Sequence, residues 1–215
     1  MKVATIYFGS LSSRFATMQD WSNLDLGILA SDNLNTIQGA RISGTKVFSY
    51  THRKDSQQES KLQSNLNDGL FLDWATAPNE YIDSLVCKLH QQEKKMIVNT
   101  GWGTHRRYDY GSADIVLFES FLGTNSGDDG NWPVMYSRRD EQSDLIKLRA
   151  LKTKGYEVIA LTYGPSSEVD FALSSFEKAR IYGCDYFIYS QAPGWEKEGS
   201  GFRLFTSKDF QGKTT

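Results

Sequence analysis

Eight short runs rich in β-branched and aromatic residues recur along the chain, each separated from the next by polar or helix-patterned sequence. They span residues 3–9, 25–30, 46–52, 69–74, 95–101, 114–120, 157–164 and 185–191. Several are apolar at nearly every position, as strands buried on both faces of a parallel sheet must be. Helical spacing fills the gaps: Tyr81, Ile82, Leu85, Val86 and Leu89 within 79–92; Leu145, Leu148 and Leu151 within 140–154, ahead of Gly155; Val169, Leu173, Phe176 and Ala179 within 166–182, ahead of Gly183. A shorter helix is expected over 33–41, and the polar stretch 55–67 reads as a loop or short helix. Strand then helix, repeated, calls for right-handed crossovers between parallel strands, and eight strands close a barrel. The predicted architecture is therefore α/β, one compact (β/α)8 TIM barrel over residues 1–215, with a polar tail from about 196 and a long Gly/Asp/Asn-rich loop over 123–139. An open doubly wound sheet would carry a glycine-rich phosphate turn after its first strand, and Gly9-Ser10-Leu11-Ser12-Ser13 supplies none.

Charge and composition narrow the function classes. A net charge of -2 lacks the basic excess that binding a phosphate backbone requires, so nucleic acid is not an expected partner. The pairs Arg106-Arg107 and Arg138-Arg139 read as solvated surface. No apolar run has the length of a membrane span, and no membrane partner is expected. Cys87 and Cys184 read as free, packed thiols. His52, His90 and His105 lack metal-ligand spacing, and Asp128-Asp129-Gly130-Asn131 is only a fragment of a calcium loop, so neither metal nor cofactor is expected. The N-terminal run is too short for a signal-peptide core and reads as the opening strand, which suits a cytoplasmic protein and a mature secreted one equally. Oligomeric state leaves no mark on the sequence.

The chemistry is expected where strands end, because barrel active sites are built at the C-terminal ends of the strands. In Asp68-Gly69-Leu70-Phe71-Leu72-Asp73-Trp74, two-residue alternation groups Gly69, Phe71 and Asp73 on one face. With Leu70 and Leu72 under the helices, Asp73 points into the barrel mouth. The run 114–120 repeats the pattern and groups Glu119 with Ile115 and Leu117. An ionisable group closing an apolar strand is costly to desolvate and belongs in water, in an ion pair or at a working site. Two such groups suit glycoside hydrolysis, which needs one carboxyl to protonate the leaving oxygen and another to attack or to activate water. Asp68 and Asp114 begin the same strands and belong at the opposite, structural face. Hydrogen-bonding and aromatic groups at the other strand ends suit sugar subsites: Tyr7, Tyr50, His52, Trp74, Asn99, Trp102, Tyr163, Gln191 and Trp195. A carbohydrate is the expected partner.

Residues 68–74, 96–101 and 114–120 together resemble the endo-α-1,4-polygalactosaminidase family, glycoside hydrolase family 114, with 46–50 and 157–163 matching its third and seventh strands. The resemblance implies a (β/α)8 fold and hydrolysis of an α-linked oligo- or polysaccharide, amino-sugar polymers included. It sets Asp73 on the family's fourth-strand carboxylate and Glu119 on its sixth-strand one. Likeness to related α-glycosidase barrels gives Asp73 as nucleophile and Glu119 as acid/base, and the residues are compatible with the reverse. The third strand departs from the family by ending Thr51-His52-Arg53 where a glycine is common. Two rival readings are a catalytically silent carbohydrate-binding barrel within a larger assembly, and an enzyme acting on a phosphorylated metabolite, for which Tyr163-Gly164-Pro165-Ser166-Ser167 is a modest phosphate cradle.

Overall fold

The computed structural model describes residues 1–7, 18–29, 34–73, 77–101, 108–126, 135–190 and 205–211. In chain order the strands are β1 (Lys2–Tyr7), β2 (Leu26–Leu29), β3 (Lys46–His52), β4 (Gly69–Asp73), β5 (Lys95–Asn99), β6 (Ile115–Glu119), β7 (Gly123–Ser126), β8 (Met135–Arg138), β9 (Glu157–Tyr163) and β10 (Tyr186–Ser190). Eight of them form a closed parallel barrel in the order β1-β10-β9-β6-β5-β4-β3-β2. These are the eight runs legible in the sequence. The helices are α1 (Met18–Trp21), α2 (Leu34–Ile42), α3 (Gln58–Gln63), α4 (Asn79–His90), α5 (Glu141–Thr153), α6 (Val169–Ile181) and α7 (Ser207–Phe210).

Four local readings change. The stretch 123–139 is more than a loop: β7 and β8 pair antiparallel within it, from Gly123 opposite Arg138 to Ser126 opposite Met135. Thr124-Asn125-Ser126 carries no apolar alternation, so periodicity cannot flag it as strand. Arg139 is not free surface either, since it pairs with the buried Asp144 at 3.3 Å. Cys184 is buried, which pushes its thiol up to about 12, whereas Cys87 is exposed on α4 rather than packed. Within the stretch read as a polar tail, Phe205 and Phe210 are buried, and Phe210 stacks on Phe176 of α6 with ring centroids 4.4 Å apart.

Alternation along the strands divides the core into two shells. Phe48, Phe71, Ile97, Ile115, Leu117 and Ile159 belong to the cluster that fills the barrel. Leu70, Leu72, Val116, Phe118 and Val158 face outward and pack with the helix stripes, such as Ile82, Leu85, Val86 and Leu89 of α4. Every other strand carries a different device at its N-terminal end. Asp25, Asp68, Asp114 and Asp185 immediately precede β2, β4, β6 and β10, and their Oδ2 atoms accept the N–H of Val3, Val47, Met96 and Val158 at 2.7–2.8 Å. Their carbonyls accept the N–H of Lys46, Lys95, Glu157 and Lys2 on the strand at their other side. The four aspartates thus form a continuous hydrogen-bonded ring around this end. Gly69 is glycine for a steric reason: a Cβ there would come within 2.0 Å of the Lys95 carbonyl.

Helix α5 begins at Asp140, whose side chain accepts the Ser143 N–H at 3.0 Å as an N-cap. Its buried stripe contains Leu148 and Leu151 as the spacing requires, but also Asp144 and Lys147. The Lys147 ammonium lies 4.6 Å from the centroid of the Phe118 ring. Burial pushes its pKa down to about 8, with Arg139 adding to the fall while Asp144 and Glu119 oppose it. An unfolded chain holds that proton to about pH 10.4, so the folded protein binds fewer protons between those values and gains stability as pH rises through them. Below pH 8 the full cost of burying the charge applies, about 3 kcal/mol. Lys147→Met, which keeps the packing, is therefore expected to unfold at higher denaturant than the parent at pH 7, with the advantage shrinking between pH 8 and 10.5. A gain that stays constant over urea titrations across that range would contradict this account.

Candidate functional site

Five strand ends converge at the C-terminal mouth of the barrel. Asp73 closes β4 and Glu119 closes β6, each two residues beyond an inward-facing apolar residue, Phe71 and Leu117. Asn99 ends β5 between them, in register with Leu117 of β6 and so one step deeper than Glu119. Its amide nitrogen donates to Asp73 Oδ1 at 2.9 Å and to Glu119 Oε2 at 2.8 Å. The two acceptor oxygens therefore lie no farther apart than about 5.7 Å, the limit set by those two distances. The outer oxygen of each carboxylate is held by a tyrosine. The Tyr50 hydroxyl donates to Asp73 Oδ2 at 2.6 Å, and the Tyr163 hydroxyl donates to Glu119 Oε1 at 3.0 Å. Glu119 is only 8% exposed, whereas Asp73 is half-buried.

The surroundings restrain this arrangement. Burial first, and then the Asp73 carboxylate, push the Tyr50 phenol far above its ordinary value, so it stays a donor at any physiological pH. The Tyr50 carbonyl accepts from Lys61 Nζ at 3.1 Å, and Lys61 also pairs with Asp55 at 2.9 Å, which ties the end of β3 to α3. Burial raises the Asp55 carboxyl, but hydrogen bonds from Lys61, the Gln57 N–H and Thr51 outweigh it and leave it below the usual range. On the other flank, the Glu119 N–H donates to Thr100 Oγ1 at 3.2 Å.

Directly after Glu119 the chain is strained: Ser120 has φ 61° and Leu122 φ 58°, both in the left-handed region. The Gly123 N–H donates to the Phe121 carbonyl at 2.7 Å, which makes Leu122 the centre of a γ-turn. That turn is held from behind. Asp144 Oδ2 accepts the Leu122 N–H at 2.8 Å, and Thr162 Oγ1 donates to the Phe121 carbonyl at 2.6 Å. Burial pushes the Asp144 carboxyl up, against the Leu122 N–H and Arg139. Sequence reasoning did not single out Asp144, although its position four before Leu148 and seven before Leu151 sets an acid on the core stripe, and an acid there needs a partner.

Of the other residues singled out in the sequence, His52 ends β3 opposite Asp73, where its Nδ1 accepts the Lys54 N–H at 3.2 Å. The backbone of Tyr7 ends β1 opposite Leu29. Trp74, Trp102, Gln191 and Trp195 lie outside the described residues. Among the described residues, no group of three or more His, Cys, Asp or Glu side chains is placed to hold a metal ion. A separate groove of about 410 Å³ lies at the start of α6, lined in part by Arg138, Glu168 and Phe171. Arg138 covers the Phe171 ring and pairs with Glu168, and the groove includes neither Asp73 nor Glu119.

No protein-family model and no curated protein sequence matches the chain. Solved structures do. The glycoside hydrolase domain of PelA from Pseudomonas aeruginosa is 16% identical with a TM-score of 0.63, over 95% of this chain and 98% of that one. A 3-hexulose-6-phosphate synthase is 12% identical with a TM-score of 0.60, over 98% of each chain. A GH18 chitinase from Pseudoalteromonas aurantia is 14% identical with a TM-score of 0.54, over 94% of this chain and 96% of that one. Likeness at these identities establishes the barrel fold, which the three share across different chemistries.

Proposed function

We propose that the chain is a glycoside hydrolase that cleaves an α-linked oligo- or polysaccharide through Asp73 and Glu119. The observation that carries the reading is the single amide nitrogen of Asn99, 2.9 Å from one carboxylate and 2.8 Å from the other. It ties together two acids from separate strands, which supports their acting on one glycosidic bond. Two of the solved barrels that resemble the chain are named as a glycoside hydrolase domain and a chitinase, which agrees with this class of chemistry. The resemblance of residues 68–74, 96–101 and 114–120 to glycoside hydrolase family 114 suggests amino-sugar polymers as the first substrates to try.

In this reading Asp73 attacks the anomeric carbon while Glu119 gives its proton to the departing glycosidic oxygen, leaving the sugar as an ester on Asp73. Glu119 then takes a proton from water, the resulting hydroxide attacks the same carbon, and the Asp73 carboxylate departs. Carboxyl groups about 5–5.5 Å apart suit this double displacement, whereas an attacking water needs roughly 6.5–9.5 Å between them. The two oxygens that Asn99 bridges lie within about 5.7 Å of each other, which is nearer the first spacing than the second. The expected result is that a glycan panel screened for new reducing ends yields a substrate whose first-formed product, followed by proton NMR, retains the anomeric configuration. Inversion would overturn the two-step route. Binding of a glycan with no product after long incubation would overturn hydrolysis itself, in favour of a silent carbohydrate-binding barrel.

A further inference from the structure

We infer that Asn99 is a positioning residue that sets the separation of Asp73 and Glu119 and couples their ionisation, in place of the sugar-contacting role its strand-end position suggests. The inference rests on the reading of Asp73 and Glu119 as the reacting pair. An amide nitrogen carries two N–H bonds about 120° apart, and here one goes to each carboxylate. The amide oxygen is also engaged, since it accepts the Gly101 N–H at 3.0 Å. Gly101 has φ 67°, a backbone conformation that favours glycine. A flipped amide would set its oxygen against two carboxylates and its N–H groups against another N–H, so the orientation is unambiguous. With both donors and the acceptor committed inside the protein, little of the amide remains to hold a sugar hydroxyl.

Side-chain chemistry explains why asparagine serves here. Aspartate would fit the same space but bring a third acceptor within about 3 Å of two carboxylates, and like charges that close cannot all ionise. Alanine would leave the pair to spread and repel. Among the described residues, the other titratable groups around the pair are Tyr50 and Tyr163, which bond to it, and His52, in register with Asp73, with Asp55 behind Tyr50 and Lys147 and Asp144 on α5 behind β6. All of them stay unchanged in the variants proposed.

The test compares Asn99→Asp and Asn99→Ala with the parent in two measurements. The first is kcat and KM across pH on a glycan that the parent hydrolyses. The second is carbon-13 NMR titration of the Asp73 and Glu119 carboxyl groups, which needs no turnover. Asn99→Asp is expected to lower kcat about 100-fold at neutral pH with little change in KM, and to displace the pH optimum. At least one of the two carboxyls should titrate about one pH unit or more above its parent value, while Asp209 on α7 does not move. Asn99→Ala should lower kcat and alter the same two titrations. Should the aspartate variant fail to fold, the alanine variant carries the test alone. A rise in KM with kcat and both titrations unchanged would make Asn99 a sugar ligand and overturn the inference. A parent inert toward every glycan would end the hydrolase reading, whereas an active parent whose two carboxyl titrations stay unchanged in both variants would overturn this inference alone.

Discussion

Asp73→Asn and Glu119→Gln are each expected to lower kcat about 1,000-fold or more while moving Tm by only a few degrees. Each replacement keeps the shape and removes the charge or proton that the chemistry needs. Stability should survive because both side chains are held by hydrogen bonds that an amide can largely reproduce. The Tyr50 and Tyr163 hydroxyls both accept as well as donate, so they can turn toward a new N–H. The two variants should also separate the roles. On an activated aryl glycoside, whose leaving group departs without a proton, Glu119→Gln should recover much of its first step while Asp73→Asn stays inactive. The opposite pattern would exchange nucleophile and acid. Near-parent turnover in both variants would remove the carboxylate pair from the mechanism.

The second large effect concerns stability. Asp144 is 1% exposed, accepts the Leu122 N–H at 2.8 Å and pairs with Arg139 at 3.3 Å. Truncation leaves a buried N–H without that acceptor, Arg139 without its carboxylate, and Lys147 without the nearby negative charge that opposes its loss of a proton. Breaking a buried pair from one side costs about 3–5 kcal/mol, so Asp144→Ala should lower Tm on the order of 10 °C. Asp144→Asn should fall between, since its amide oxygen can still accept from Leu122. Because that turn follows Glu119 directly, kcat in the alanine variant should fall even well below its Tm. A change in Tm of less than about 2 °C in Asp144→Ala would mean that the strained turn holds itself.

How much of this is legible in the sequence depends on the range of the interaction. The barrel announces itself because its strands are apolar on both faces and its helices carry stripes at three- and four-residue intervals, both local patterns. The positions of Asp73 and Glu119 follow from the same alternation, two residues beyond Phe71 and Leu117. What alternation cannot give is which side chains meet. The contact of Asn99 with both acids depends on the stagger of β5 against β6, set by the closure of the whole barrel. The link from Asp144 to Leu122 joins residues 22 apart across a turn with positive φ, and no propensity foretells a leucine there. The β7–β8 hairpin escapes the sequence for a related reason, since β7 has no apolar residue and the two short strands are known only by their pairing.

The aspartates at the N-terminal ends of β2, β4, β6 and β10 act as a hoop around one rim of a cylinder. Because each grips the strand before it and the strand after it, no seam at that rim depends on a loop to stay shut. The opposite rim is thereby released from keeping the cylinder round. Its connections can lengthen, shorten or change chemistry while the floor holds the diameter, which is the freedom that a surface meeting varied ligands requires.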